Sequence, residues 1–168
     1  ASASKFFQKA YDTSASLGRR EISEQIASNA LPVLSSNLSN EDKNSFFNFA
    51  RKAVEDNANQ GPQNARAELL AGSFLTSVGL LNEGLIQLER AREVMPGKQQ
   101  VYFEIRSVYI NQKDYARALM SFKKAYDLAP GYIEAKIIYL IGAIYAGDSN
   151  LESRMTGELS EDVVIFDD

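Results

Sequence analysis

Hydrophobic and polar positions along the chain alternate with a helical period, and the pattern restarts at regular intervals. Between residues 99 and 132, "QQVYFEIRSVYINQKDYARALMSFKKAYDLAPGY", apolar residues recur three and four apart in two runs separated by the polar turn "NQKD". This spacing predicts two amphipathic helices joined by a tight turn. The window 65–98, "ARAELLAGSFLTSVGLLNEGLIQLERAREVMPGK", repeats the pattern and ends in the same Pro-Gly pair. Pro62, Pro96 and Pro130 stand 34 residues apart, three of the four prolines in the chain. Proline cannot continue a helix and pushes the residue before it toward extended geometry, so each marks the end of a unit.

A fixed self-similarity of this length signals stacked helical repeats, and its competitor is an irregular helical bundle with coincidental prolines. The residue types favour the repeat. Tyr102, Ile105 and Tyr109 fall on the first helix of the window 99–132, and Ala118, Phe122 and Ala125 on the second. Small side chains let antiparallel helices approach closely, while aromatic ones fill the space between layers. The window 65–98 answers with Gly72, Leu75, Gly84, Leu88, Ala91 and Pro96. On these positions the two windows resemble tetratricopeptide repeats. They depart from that family at Arg106, where it usually has Gly, and at Glu68, where it has a large residue.

The signal weakens on either side. Residues 133–147 predict a further first helix with Tyr139 in register, and "YAGD" matches the "NQKD" turn. Its partner around "NLESRMTGELS" puts Glu152 and Thr156 where Ala and an aromatic are expected, as in a degenerate end unit. Upstream, Ser39 and Asp42 resemble a capping box ahead of a helix carrying Phe46, Phe47, Phe49, Ala50 and Val54. A preceding helix over 19–35 carries Ile22, Ile26, Ala27 and Ala30 and is kinked or ended by Pro32. A leading helix over 3–14 presents Phe6, Phe7, Ala10 and Tyr11. The expected fold class is therefore all-α: a right-handed α-α superhelix of tetratricopeptide hairpins with about nine helices. The expected organisation is one domain over 1–168: divergent helices over 1–64, repeats over 65–98 and 99–132, a degenerate cap over 133–160, and an acidic tail over 161–168.

Composition narrows the chemistry. At 168 residues with 45% hydrophobic and 24% charged residues, the chain has the makeup of a folded domain. A net charge of -4 and scattered basic residues argue against nucleic acid as a partner. There is no Cys and no His, which excludes thiolate and Ser-His-Asp chemistry and removes the commonest metal ligands. No cofactor is expected, and the acidic pairs Glu161-Asp162 and Asp167-Asp168 match no calcium-loop spacing. The apolar run "IIYLIGAIYAG" at 137–147 is too short for a bilayer span, and "ASASKFF" lacks a signal-peptide core.

In a tetratricopeptide stack the first helices line a concave face. The resemblance implies a groove formed by Arg66, Leu69, Ser73, Thr76 and Ser77, then Gln100, Phe103, Ser107, Ile110 and Asn111, then Glu134, Ile137, Ile141, Ile144 and Tyr145. Its floor runs from polar to apolar and suits a protein or peptide partner, unless the tail of the chain itself covers it. Leu69 and Phe103 occupy a position where a chaperone-tail clamp would place a cation or amide, so no such clamp is expected. The helix over 133–147 is apolar nearly all round and needs a cover. The candidates are "VVIF" at 163–166, a second copy of the chain, or other parts of a larger protein. The leading expectation is a non-catalytic interaction module. The alternatives are an oligomerisation element and, with His and Cys absent, a hydrolase built on paired carboxylates.

A narrower resemblance lies in the order of "FFQKAYDTSASLGRREISEQIA", "FFNFARKAVEDN" and "PGKQQVYFEI". Over residues 5–147 this is similar to the soluble C-terminal segment of bacterial O-antigen ligase/polymerase-like membrane proteins. That resemblance implies a membrane-anchored parent, an extracytoplasmic location, and a scaffolding role with the glycosyl-transfer chemistry elsewhere. Without it, a cytoplasmic location is expected.

Overall fold

In a computed structural model, which describes residues 3–14, 16–59 and 64–164, the chain forms nine α-helices and no strand among the described residues. They are α1 (Ala3–Thr13), α2 (Ser16–Leu34), α3 (Asn40–Ala58), α4 (Ala65–Ser77), α5 (Leu81–Val94), α6 (Gln99–Asn111), α7 (Tyr115–Asp127), α8 (Ile133–Ala146) and α9 (Ser149–Val164). Pro62, the side chains of Phe6 and Phe7, the segment 165–168 and the side chains of 162–164 lie outside what is described. The chain divides into two compact units, Ala1–Val94 and Met95–Asp168.

The 34-residue period is written in the backbone. Gly79, Lys113 and Gly147 all adopt left-handed geometry, with φ of 86°, 59° and 69°. Each follows the first helix of its hairpin, and the next N–H reaches back five residues: Leu80 to Leu75 O at 2.9 Å, Asp114 to Tyr109 O at 2.8 Å, Asp148 to Ala143 O at 3.0 Å. This closure satisfies carbonyls that a helix C-terminus leaves open. Asp114 and Asp148 then cap α7 and α9, accepting from the N–H of Arg117 and Leu151, each at 3.0 Å. The Pro-Gly pairs sit at the centre of matched turns, in which Lys98 N–H donates to Met95 O at 3.0 Å and Tyr132 N–H to Ala129 O at 3.1 Å.

In the unit Ala1–Val94 the core gathers Tyr11, Ile26, Ala30, Phe46, Ala50, Val54, Phe74 and Leu75. Here α4 and α5 cross where Gly72 faces Gly84, each lacking the Cβ that would strike the other's carbonyl. Two local expectations change. Pro32 does not end α2, which runs on to Leu34; the proline sits in the last turn, where its missing N–H removes one bond only. Asp42 does not complete a capping box. Its N–H donates to Ser39 Oγ at 3.1 Å, and its carboxylate accepts the Ser39 hydroxyl at 2.7 Å, because aspartate is one methylene shorter than the usual glutamate.

In the unit Met95–Asp168 the core gathers Ala118, Phe122, Tyr139, Ala143, Leu151 and Met155, with Tyr109, Ile110 and Ile138 packed on it. Helix α9 turns Leu151 and Met155 inward, so Glu152 and Thr156 are exposed. The inward positions fall one residue earlier than the repeat spacing predicts, since α9 rolls to bury its only large apolar pair in that turn.

Candidate interaction surface

The surface is built on α6 and α8 of the unit Met95–Asp168. Both helices pack on α7, which lies behind them. Helix α8 buries Ala135, Tyr139, Gly142 and Ala143. Gly142 is required there, since a Cβ would stand 2.7 Å from Cγ of Phe122. The opposite side of α8 carries Ile137, Ile141, Ile144 and Tyr145, which remain 42%, 37%, 56% and 47% exposed. Their spacing of four, three and one puts them on one stripe of the helix. Tyr145 stacks on Tyr115, with ring centroids 5.8 Å apart.

Between the N-terminal halves of α6 and α8 lies a cleft of about 200 Å³ lined by Gln99, Phe103, Ala129, Tyr132, Glu134, Ala135 and Ile138. Phe103 forms one wall, and its ring also lies 5.3 Å from the guanidinium carbon of Arg106. On the other side Arg106 lies 4.8 Å from the centre of the Phe122 ring. Its Nε is buried without a hydrogen-bond partner. Burial lowers the pKa of Arg106 from the ordinary arginine value, against the opposing pull of Glu104 and Tyr145. Sequence marked Arg106 only as a departure from Gly and did not place it in the groove. Tyr132 and Ile138 were also missed, because both lie off the stripe that repeat position assigns.

The other expected groove residues fall as follows. Phe103 and Ile110 are half-buried, and Gln100 and Asn111 are exposed. Ser107 donates its hydroxyl to Phe103 O at 2.9 Å, and Asn111 its amide to Ser107 O at 2.8 Å, so both bond along their own helix. In the unit Ala1–Val94, Arg66 pairs with Glu24 at 3.0 Å. Leu69 is 8% exposed and belongs to the packing. Ser73 and Thr76 are half-buried, the Thr76 Oγ1 lacking a partner, and Ser77 is exposed with its hydroxyl on Phe74 O at 2.7 Å.

A second opening, beside Tyr139, Asp148, Asn150, Leu151 and Arg154, holds one carboxylate, as does the α6–α8 cleft. Asp114 and Asp148 serve as helix caps, and Asp127 pairs with Lys123 at 2.7 Å. Among the described residues no three His, Cys, Asp or Glu side chains cluster as metal ligands. No helix among them is long and apolar enough to cross a membrane.

No protein-family model matches the chain, and no curated protein matches it. Solved structures do. A MamA protein shares the fold with a TM-score of 0.61 at 14% identity, over 94% of this chain and 90% of that one. MamA of Desulfovibrio magneticus RS-1 gives 0.58 at 14% identity, over 96% and 95%. A Thermobaculum terrenum O-GlcNAc transferase mutant gives 0.53 at 18% identity, over 78% of this chain but 23% of that one. At these identities the likeness speaks for fold alone: the chain has an all-α fold of tetratricopeptide type.

Proposed function

We propose that this chain is a non-catalytic interaction module that receives a protein or peptide partner on the α6–α8 surface. The observation that carries the reading is the exposed stripe Ile137, Ile141, Ile144 and Tyr145 beside an open cleft. Four large apolar side chains held on one rigid helix lose little conformational freedom when a partner covers them. Gln100, Phe103, Ser107, Ile110 and Asn111 form the α6 side of the same surface. The solitary carboxylates in the clefts support a binding role over acid-base hydrolysis, which needs two facing acids. Phe103→Glu and Ile141→Glu test the reading. Both variants keep the helical circular dichroism of the parent and lose partner recovery in affinity capture; unchanged recovery overturns it.

The same stripe favours a second reading, self-association through α8. Sedimentation velocity over a wide concentration range decides it, and a strictly monomeric result removes it. The parent reading, the soluble extracytoplasmic end of an O-antigen ligase/polymerase-like membrane protein, rests on the motifs "GRREI" and "KQQVYFE". The natural reading frame upstream of residue 1 tests it: about ten membrane spans support it, and a cytoplasmic domain ends it.

A further inference from the structure

We infer that Arg106 is the anion anchor of this surface, and that the segment it receives carries an acidic side chain next to a bulky apolar one. The inference rests on the interaction-module reading and names the partner's chemistry.

The starting point is a position in the repeat. Gly72, 34 residues before Arg106, lies so close to Leu88 that no side chain fits between the two helices. Arg106 has Phe122 in the place of Leu88 and carries a guanidinium that cannot enter the helix–helix contact. Its guanidinium carbon lies over the rings of both Phe122 and Phe103 instead, 4.8 Å and 5.3 Å from their centres. Aromatic faces hold a cation but leave its in-plane N–H donors unused. The buried Nε has no acceptor, and Arg106 takes part in no ion pair among the described residues. The neighbouring Glu104 and the Tyr145 phenol act on it only through space. A half-buried guanidinium whose buried Nε–H has no acceptor carries an unmet donor in the unbound protein, and a carboxylate arriving in its plane satisfies it.

The apolar half of the partner follows from the cleft. Phe103 is shared, one face of its ring serving the guanidinium and the ring itself walling the 200 Å³ space with Ala129, Tyr132, Ala135 and Ile138. That volume suits one leucine-, isoleucine- or phenylalanine-sized side chain. The carboxylate and apolar subsites are thus one ring apart, the reach of neighbouring residues in an extended peptide. Glu134 on the cleft's lining repels a second carboxylate there, so the acid belongs at the Arg106 end. Ile137 and Ile141 then meet whatever apolar residues flank the pair.

The test uses the whole chain and defined probes. A phage-displayed library of random dodecapeptides is selected on the protein, and the enriched sequence is synthesised with a fluorescein label alongside its acid-to-amide counterpart. Enriched peptides carry Asp or Glu within two residues of Leu, Ile or Phe. Arg106→Gln weakens the acidic peptide about tenfold or more in fluorescence anisotropy and flattens its salt dependence. The amide peptide loses as much on the unchanged protein, so the result stands even if Arg106→Gln folds poorly. Combining both changes costs little more than either alone. Neutral or basic enriched peptides, or an amide swap without effect, overturn the anchor while the surface reading survives if Ile141→Glu still weakens binding. Peptide binding indifferent to both Phe103→Glu and Ile141→Glu overturns the surface reading as well. A selection that enriches nothing, with a dimer that Ile141→Glu dissociates, makes a second copy the occupant and overturns the peptide anchor.

Discussion

A Cβ atom on Gly72 would stand 2.6 Å from Cγ of Leu88 and 2.7 Å from its Cδ2, inside any allowed contact. Leu88 is wholly buried and has no room to withdraw. The close approach of α4 to α5 therefore depends on hydrogen at one position, and the matched position in the next hairpin, Arg106, shows what happens without it. There the side chain is displaced to the surface and lies against Phe122.

Gly72→Ala is expected to destabilise the fold by about 1–3 kcal/mol through overpacking, less the fraction of a kcal/mol that alanine returns in helix propensity. Gly157→Ala on α9 is the comparison, since nothing lies within 4 Å of its Cβ position. That substitution gains up to about 1 kcal/mol. Urea midpoints of the two variants should move in opposite directions.

Lys113 holds φ of 59° at the position where Gly79 and Gly147 stand in the neighbouring hairpins. A side chain in left-handed geometry costs about 1 kcal/mol relative to glycine. Lys113→Gly should accordingly raise the thermal midpoint, although the glycine adds entropy to the unfolded chain. A lower midpoint would show that the lysine stem contributes packing worth more than its strain.

Glu68 is nearly buried in the first turn of α4, and its Oε2 has no hydrogen-bond partner. Burial raises its pKa from the ordinary glutamate value, with Arg90 opposing and Glu93 assisting. The folded state holds the proton more tightly than the unfolded state. Stability is therefore favoured at low pH and declines as pH rises from the ordinary glutamate value through the raised one. Glu68→Leu, which restores a large residue in that slot, should stabilise at pH 7 by about 1 kcal/mol and remove this part of the pH dependence. Unfolding curves at pH 4 and pH 7 check both statements.

Asp114 behaves in the opposite sense. Its carboxylate accepts the Arg117 backbone N–H at 3.0 Å and the Arg117 Nε–H at 2.6 Å, and these bonds hold its pKa below the ordinary aspartate value. It contributes stability above the unfolded pKa, and that contribution is lost as pH falls through the depressed folded one. Asp114→Asn keeps an oxygen for the α7 cap and loses the charge. The variant should be less stable than the parent at neutral pH, and the difference should shrink in acid.

Much of the hairpin geometry is legible in residues 65–160 because it is local. The left-handed turn before Asp114, the Pro-Gly stops at Pro96 and Pro130, and the buried Ala118, Phe122 and Ala125 each follow from a few neighbouring positions. Where local spacing met a competing demand, it was less informative. Helix α9 rolled by one residue to bury Leu151 and Met155, and Pro32 was absorbed in the last turn of α2. Repeat position by itself did not fix exposure: of the residues it assigned to one face, Ile137, Ile141 and Ile144 are exposed, whereas Leu69 is buried.

By itself the sequence determined the class and the period: helices, their paired arrangement, and the turn that recurs every 34 residues, since these arise from contacts a few positions apart. Only the tertiary structure decided that Arg106 lies over two rings with an unused donor, and that Phe103 walls a cleft with Ile138. Those facts depend on three helices meeting around one side chain. The free energy of a cation is set by what surrounds it in space, and no periodicity along the chain encodes that.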